Sequence, residues 1–179
     1  AIEQADADMG GLDLLFNNAG IVLHKSAYDV TPVEWAKVIN VNLNGEYYMA
    51  SEFARYLKGK GKKGAICNTA SMSGHIVNWP QEQASYNASK AAVIQMTKSL
   101  AVEYCKDGIR VNCISPGYMY TELTCHVNPD WQERWMDLTQ YGRYGTPDEL
   151  CGAVIYLLSD SASFTSGTDI IVDGCFTCV

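Results

Sequence analysis

Tyr86 and Lys90 stand four residues apart. On a helix that spacing puts both side chains on one face. A phenol titrates near pH 10, so making it a base at neutral pH costs about 4 kcal/mol. A cation within about 4–6 Å lowers such a pKa by one to three units, so an adjacent ammonium can supply much of the shift. The pair is a candidate general acid and base. Spacing alone does not decide the matter. Tyr56 and Lys60 repeat it among Lys58, Gly59, Gly61 and Lys62, where a solvated helix end is the expected reading. What separates the two pairs is company. Ser71 closes an apolar run ahead of Tyr86, and Asn42 sits among Asn40, Asn44 and Gly45, all weak helix formers.

Other chemistries lack their parts. The only histidines are His24, His75 and His126, and no Gly-x-Ser-x-Gly elbow or HExxH motif is present. Cys175 and Cys178 form a CxxC pair, but no second CxxC or paired histidines complete a zinc set, so no metal is expected.

The elements that must position these residues alternate in type. A helix over Ala1 to Met9 is expected to stop at Gly10-Gly11. Leu12 to Phe16 reads as a buried strand running into the loop Asn17-Asn18-Ala19-Gly20. Thr31-Pro32-Val33-Glu34 carries a capping box with Pro at the first helical position, predicting a helix to about Tyr56. Ala65 to Thr69 is a second strand, and Ser71 to Gln83 a polar and aromatic loop. A helix over Ser85 to Asp107 ends at Gly108, and a strand over Ile109 to Ile114 stops at Pro116-Gly117. Tyr118 to Tyr144 reads as a loop with short helices, in which Trp131 and Trp135 could cover a substrate or pack on the core. Thr146-Pro147-Asp148-Glu149 opens a helix to about Leu158, and Asp169 to Val172 is a final strand. The alternation predicts an α/β fold, a parallel sheet with helices on both faces. Ligands bind such sheets at the carboxyl ends of strands, here Asn17 to Gly20, Ala70 to Ser73 and Pro116 to Thr121. Residues 1–179 read as a single domain, with 118–145 inserted as a substrate lid.

Composition excludes several classes. The 179 residues are 47% hydrophobic and 18% charged, which suits one globular domain. With 13 Lys+Arg against 20 Asp+Glu, a net charge of -7 and no basic stripe beyond Lys58 to Lys63, neither nucleic acid nor an anionic membrane is an expected partner. No stretch approaches the roughly 20 apolar residues of a membrane helix. The seven cysteines, an odd number scattered through apolar segments, read as reduced core thiols of a cytoplasmic protein.

Asn17-Asn18-Ala19-Gly20, Asn42 with Gly45, Ser71, Tyr86-Asn87-Ala88-Ser89-Lys90 and Pro116-Gly117 with Thr121 occur in one order. This order resembles the short-chain dehydrogenase/reductase family along essentially the whole chain. Within it, the run Ser71 to Gln83 and the ending Asp169-Ile170-Ile171-Val172-Asp173-Gly174 are most similar to polyol dehydrogenases. The resemblance implies a Rossmann-like domain, NAD or NADP as cofactor, and interconversion of a secondary alcohol and a ketone, with a polyol or ketose as the expected substrate. It implies Tyr86 as acid/base and Lys90 as the group that lowers its pKa and holds the nicotinamide ribose. It assigns Ser71 to the substrate oxygen and Asn42 to a water in a proton relay. Asn18, Ala19 and Gly20 would lie along the adenosine ribose, and Pro116, Gly117, Met119 and Thr121 at the nicotinamide end. Ser73, His75, Trp79 and Tyr118 are the further substrate candidates, with Asn78 and Gln81 also able to face hydroxyl groups. Relatives form tetramers or dimers, so a homo-oligomer is expected.

One expected part is missing. No Gly-x-Gly-x-x-Gly or looser Gly-rich turn for a pyrophosphate occurs in the 179 residues. The expectation is therefore a domain whose N-terminal strands lie outside this sequence, poorly soluble or inactive by itself. The alternative reading is a non-catalytic protein that keeps the oligomerisation surface of the fold.

Overall fold

Runs of apolar residues bounded by turn formers become the strands of one sheet. The computed structural model describes residues 1–179, and its strands are β1 (Leu14–Asn17), β2 (Gly64–Thr69), β3 (Ile109–Pro116) and β4 (Asp169–Val172). They lie in the order β1-β2-β3-β4, and every neighbouring pair is parallel. Phe16 pairs with Cys67, Cys67 with Asn112, and Ser115 with Ile171. The expected α/β architecture is thus present. β1 starts two residues later than the apolar run suggests, because the Leu12 N–H goes to the Tyr56 hydroxyl instead (3.3 Å).

Helices α1 (Ile2–Met9), α2 (Pro32–Ile39), α3 (Glu46–Gly59), α4 (Ala84–Tyr104), α5 (Glu122–Cys125), α6 (Pro129–Leu138) and α7 (Asp148–Leu158) fill the connections. α1 ends at Gly10 in the left-handed conformation, φ 73°, which glycine adopts without a Cβ penalty. The capping box opens α2: the Thr31 hydroxyl accepts from Glu34 N, and the Glu34 carboxylate accepts from Thr31 N. The single long helix expected from Thr31 is interrupted. Asn40–Gly45 is a π-helical turn between α2 and α3, placed where helix propensity is weakest.

Both faces of the sheet are covered. Ala50, Phe53 and Leu57 of α3, with Leu100 and Ala101 of α4, pack on Ile66 and Val111. Ile114 and Cys67 point the other way and meet Leu157 of α7. The alternation follows from the two-residue period of strands. Each such large apolar side chain contributes roughly 1.5–3 kcal/mol by burial.

The cysteines correct one expectation. Only Cys67 and Cys113 are core thiols; Cys105, Cys151, Cys175 and Cys178 are exposed, Cys125 is half-buried, and none is paired. The Tyr56–Lys60 pair is not a free helix end either. The Tyr56 hydroxyl donates to Asp6 (2.5 Å), and Lys60 reaches the same carboxylate (3.4 Å), so the pair clips α1 to α3. No helix is long and apolar enough to cross a membrane.

Candidate active site

The carboxyl ends of β1, β2 and β3 open onto a cleft of about 330 Å³. Asn18 and Gly20 follow β1; Ser71, Met72 and Ser73 follow β2; Gly117, Tyr118, Met119 and Thr121 follow β3, whose last residue is Pro116. Tyr86 and Lys90 enter the same cleft from the first turns of α4. One helix therefore presents the phenol and ammonium together, as the spacing predicts, and the Lys90 nitrogen lies 6.0 Å from the centre of the Tyr86 ring. Ala19 is an exposed link between two residues of the cleft wall and does not line it.

Lys90 is almost wholly enclosed. Its ammonium donates to the Thr69 carbonyl (2.5 Å) and to Glu46 Oε1 (3.3 Å). The side chains of Lys90 and Glu46 are 3% and 2% exposed, and Glu46 Oε2 has no partner. Burial pushes the Glu46 carboxyl up to about 7, against the pull of Lys90 in the opposite direction. Sequence reasoning did not single out Glu46. A signal existed: Glu46, Ala50, Phe53 and Leu57 fall on one helical stripe, and all four are buried.

Asn42 lies in the π-helical turn and is fully buried. Its Oδ1 accepts from Ile21 N (2.8 Å), and its Nδ2 donates to Ile21 O (2.9 Å) and Ser89 Oγ (3.1 Å). The amide thus ties the segment after β1 to α4. A Cβ on Gly20 would stand 3.6 Å from both Asn42 Oδ1 and Lys90 Nζ, so the backbone there passes close over both.

The Ser71 hydroxyl oxygen accepts from Ser73 N (3.1 Å), which leaves its hydrogen free for a ligand. Tyr118 forms the far wall. Its ring stacks on Trp135 at 4.1 Å, and its oxygen accepts from Gln81 (2.7 Å) and Asn78 (3.0 Å). Burial pushes the Tyr118 phenol up to about 12, so it stays protonated and keeps one hydrogen to donate. Trp135 is buried, and its Nε1 donates to Gln81 Oε1 (2.9 Å). Of the two tryptophans of α6 it is the one in the cleft wall; Trp131 lies edge-on to His24 at 5.3 Å. Gln83 and His24 also line the cleft, unforeseen in the sequence, and burial holds the His24 pKa below its usual range.

Two expected substrate residues lie elsewhere. His75 Nε2 bonds Asp169 (2.6 Å) at the start of β4, so its ring is held outside the cleft. Trp79 is exposed beneath the Arg134 guanidinium, 5.4 Å from the ring centre. A polar loop sequence does not reveal that a partner 94 residues away captures its histidine.

The fit of a nicotinamide nucleotide rests on this geometry. The same cleft is lined by Gly20, Lys90, Tyr86, Gly117 and Thr121. The cleft residues Lys90, Tyr86, Gly117 and Thr121 would fit a nicotinamide and its ribose, whereas no Gly-rich pyrophosphate turn occurs in the 179 residues.

Comparisons with known proteins agree with the geometry. A family model described as enoyl-(acyl carrier protein) reductase matches residues 1–177. A sorbose reductase of Schizosaccharomyces pombe is 48% identical over 173 residues, covering 96% of this chain and 67% of that protein. An NADP-dependent mannitol dehydrogenase of Hypocrea jecorina is 42% identical over 176 residues, covering 98% of this chain and 65% of its own length. The crystal structure of a short-chain type dehydrogenase/reductase from Mycobacterium marinum superimposes with a TM-score of 0.96 at 41% identity, over 99% of this chain and 69% of the other. The chain spans about two thirds of the length of the proteins it matches.

Proposed function

Because this chain belongs to the short-chain dehydrogenase/reductase family, we propose that it carries the catalytic centre of an NAD(P)-dependent oxidoreductase that interconverts a secondary alcohol and a ketone. The observation that supports this most is the convergence of Ser71, Tyr86 and Lys90 in one cleft at the carboxyl ends of the strands. When bound there, the nicotinamide ring supplies or accepts the hydride.

The chain's own residues handle the proton and the orientation. In the reducing direction Tyr86 gives its phenolic proton to the ketone oxygen; in the oxidising direction its phenolate takes the hydroxyl proton. The free hydrogen of Ser71 is donated to that same oxygen and stabilises the negative charge it develops. Lys90 holds the ribose hydroxyls and favours the phenolate by its charge. Asn42 acts as a positioning residue, because both hydrogens of its amide are already given to Ile21 O and Ser89 Oγ. Pro116, Gly117, Met119 and Thr121 would border the nicotinamide, and Asn18 and Gly20, on either side of the exposed Ala19, the nucleotide beyond it. The segment 118–145 serves as the substrate lid, with Trp135 and Tyr118 as its inner wall.

A polyol or ketose is the proposed substrate. The sorbose reductase and mannitol dehydrogenase similarities favour it. So does the wall of Asn78, Gln81, Gln83 and Tyr118, whose polar atoms are organised by mutual hydrogen bonds and whose Tyr118 hydrogen remains to be donated. The test is a panel of ketoses and apolar ketones given with NADH or NADPH to the native polypeptide that carries this sequence. Faster loss of reduced nicotinamide absorbance with ketoses is expected; preference for apolar ketones would contradict the assignment.

A further inference from the structure

The proton-transfer pair is not alone in the cleft floor. Glu46 stands at the first residue of α3, directly after the π-helical turn, and reaches under Lys90. The ammonium makes two hydrogen bonds, to Thr69 O and to Glu46 Oε1, and none to Tyr86. A carboxylate in this place is costly, since its Oε2 is buried and without a partner. Nothing in the packing of α3 needs a charge here; the rest of its buried stripe is Ala50, Phe53, Ala54 and Leu57.

We propose that Glu46 is a positioning residue that holds the Lys90 ammonium and offsets the field this ammonium exerts on the Tyr86 phenol, so that the proton state of Glu46 sets the pH range of proton transfer at Tyr86. The proposal rests on the reading of Tyr86 as the acid/base. When Glu46 is protonated, the full charge of Lys90 acts on the phenol. When Glu46 is ionised, the pair is close to neutral and the phenolate loses that support. Surrounding groups leave Lys90 as the only cation in contact with the carboxyl. From α4, Lys90 and, beyond it, Tyr86 face it. From β2, the Thr69 carbonyl accepts from the Lys90 ammonium, and the Cys67 thiol, pushed up to about 12 chiefly by burial, stays neutral. β1 presents Asn17, whose Nδ2 donates to the Glu46 backbone carbonyl, and the π-helical turn presents Asn42; neither titrates.

The test reads the phenol directly. Tyrosinate absorbance of the native polypeptide is titrated against its Tyr86→Phe form, and the difference gives the ionisation of Tyr86. The same difference is measured in Glu46→Gln and Glu46→Met backgrounds, two neutral side chains of similar length. Both are expected to move the Tyr86 midpoint to lower pH by about one unit, because Lys90 is then unopposed. The ascending, acid-side limb of the alcohol-oxidation profile, which requires the phenolate, moves the same way. A merely structural role would lower activity evenly without moving either midpoint. An unchanged midpoint in a folded neutral variant overturns the proposal, and Met carries the test if the Gln amide disrupts folding. The titration needs no turnover, so the underlying reading is judged separately. Full activity in Tyr86→Phe sinks that reading, whereas an inactive Tyr86→Phe with an unshifted Glu46→Gln sinks only the role of Glu46.

Discussion

At the scale of single residues, Glu46 links the chemistry to stability. Its carboxyl is lifted from 4.5 to about 7 in the fold, chiefly by burial. A raised carboxyl favours the folded state while it is protonated. Its contribution is therefore complete below about pH 4.5 and is lost as pH rises through about 7, an amount of the order of 3 kcal/mol. Glu46→Gln has no such loss. In urea unfolding at about pH 5 and pH 8, the stability of Glu46→Gln relative to the unsubstituted protein is expected to rise with pH. A relative fall would show that the ion pair with Lys90 outweighs the desolvation. The meeting of Tyr86, Lys90 and Ser71 in one cleft was legible in the sequence because their spacing is local or anchored to a strand end. Glu46 was not, since a charge on an apolar stripe looks like one more surface residue until the helix is seen to turn it inward. The place of His75 was not legible, because it depends on Asp169, which no local pattern couples to it.

At the scale of elements, the π-helical turn does what a regular helix would not. By widening one turn between α2 and α3 it presents Asn42 to Ile21 and Ser89 at once. Asn42→Ala would leave Ile21 N and O without these partners in a half-buried place. A loss of about 2–3 kcal/mol is expected, together with weaker cofactor binding as the Gly20 backbone loosens over Lys90. Thermal unfolding and the KM for the nicotinamide nucleotide check both; a fully stable variant would show that water replaces the amide. The sequence announced an irregularity at Asn40 to Gly45 through its low helix propensity, but not its π geometry, which only the contacts with β1 and α4 determine. The strands, the capped start of α2 and the start of α7 were legible within two or three residues, because turn formers and capping residues act locally. The arrangement within 118–145 was not, since Trp135 is held by Tyr118 and Gln81 across the cleft.

At the scale of the whole molecule, the sheet gathers three strand ends at one cleft and α4 brings Tyr86 and Lys90 to them. β1 is an edge strand in which Leu14 and Phe16 are 54% and 42% exposed, and it runs into the loop that carries Asn18 and Gly20 of the cleft wall. The parallel order was readable from the alternation of strands and helices, because a parallel crossover requires a helix-length connection. In the proposed reaction Tyr86 carries the proton. Hydride transfer between a nicotinamide nucleotide and a ketose, followed in the native polypeptide and in its Tyr86→Phe form at equal folding, tests it most directly. With Tyr86 as the acid/base, kcat is expected to fall by about a hundredfold or more in Tyr86→Phe; a rate equal to that of the unsubstituted protein would rule out that role.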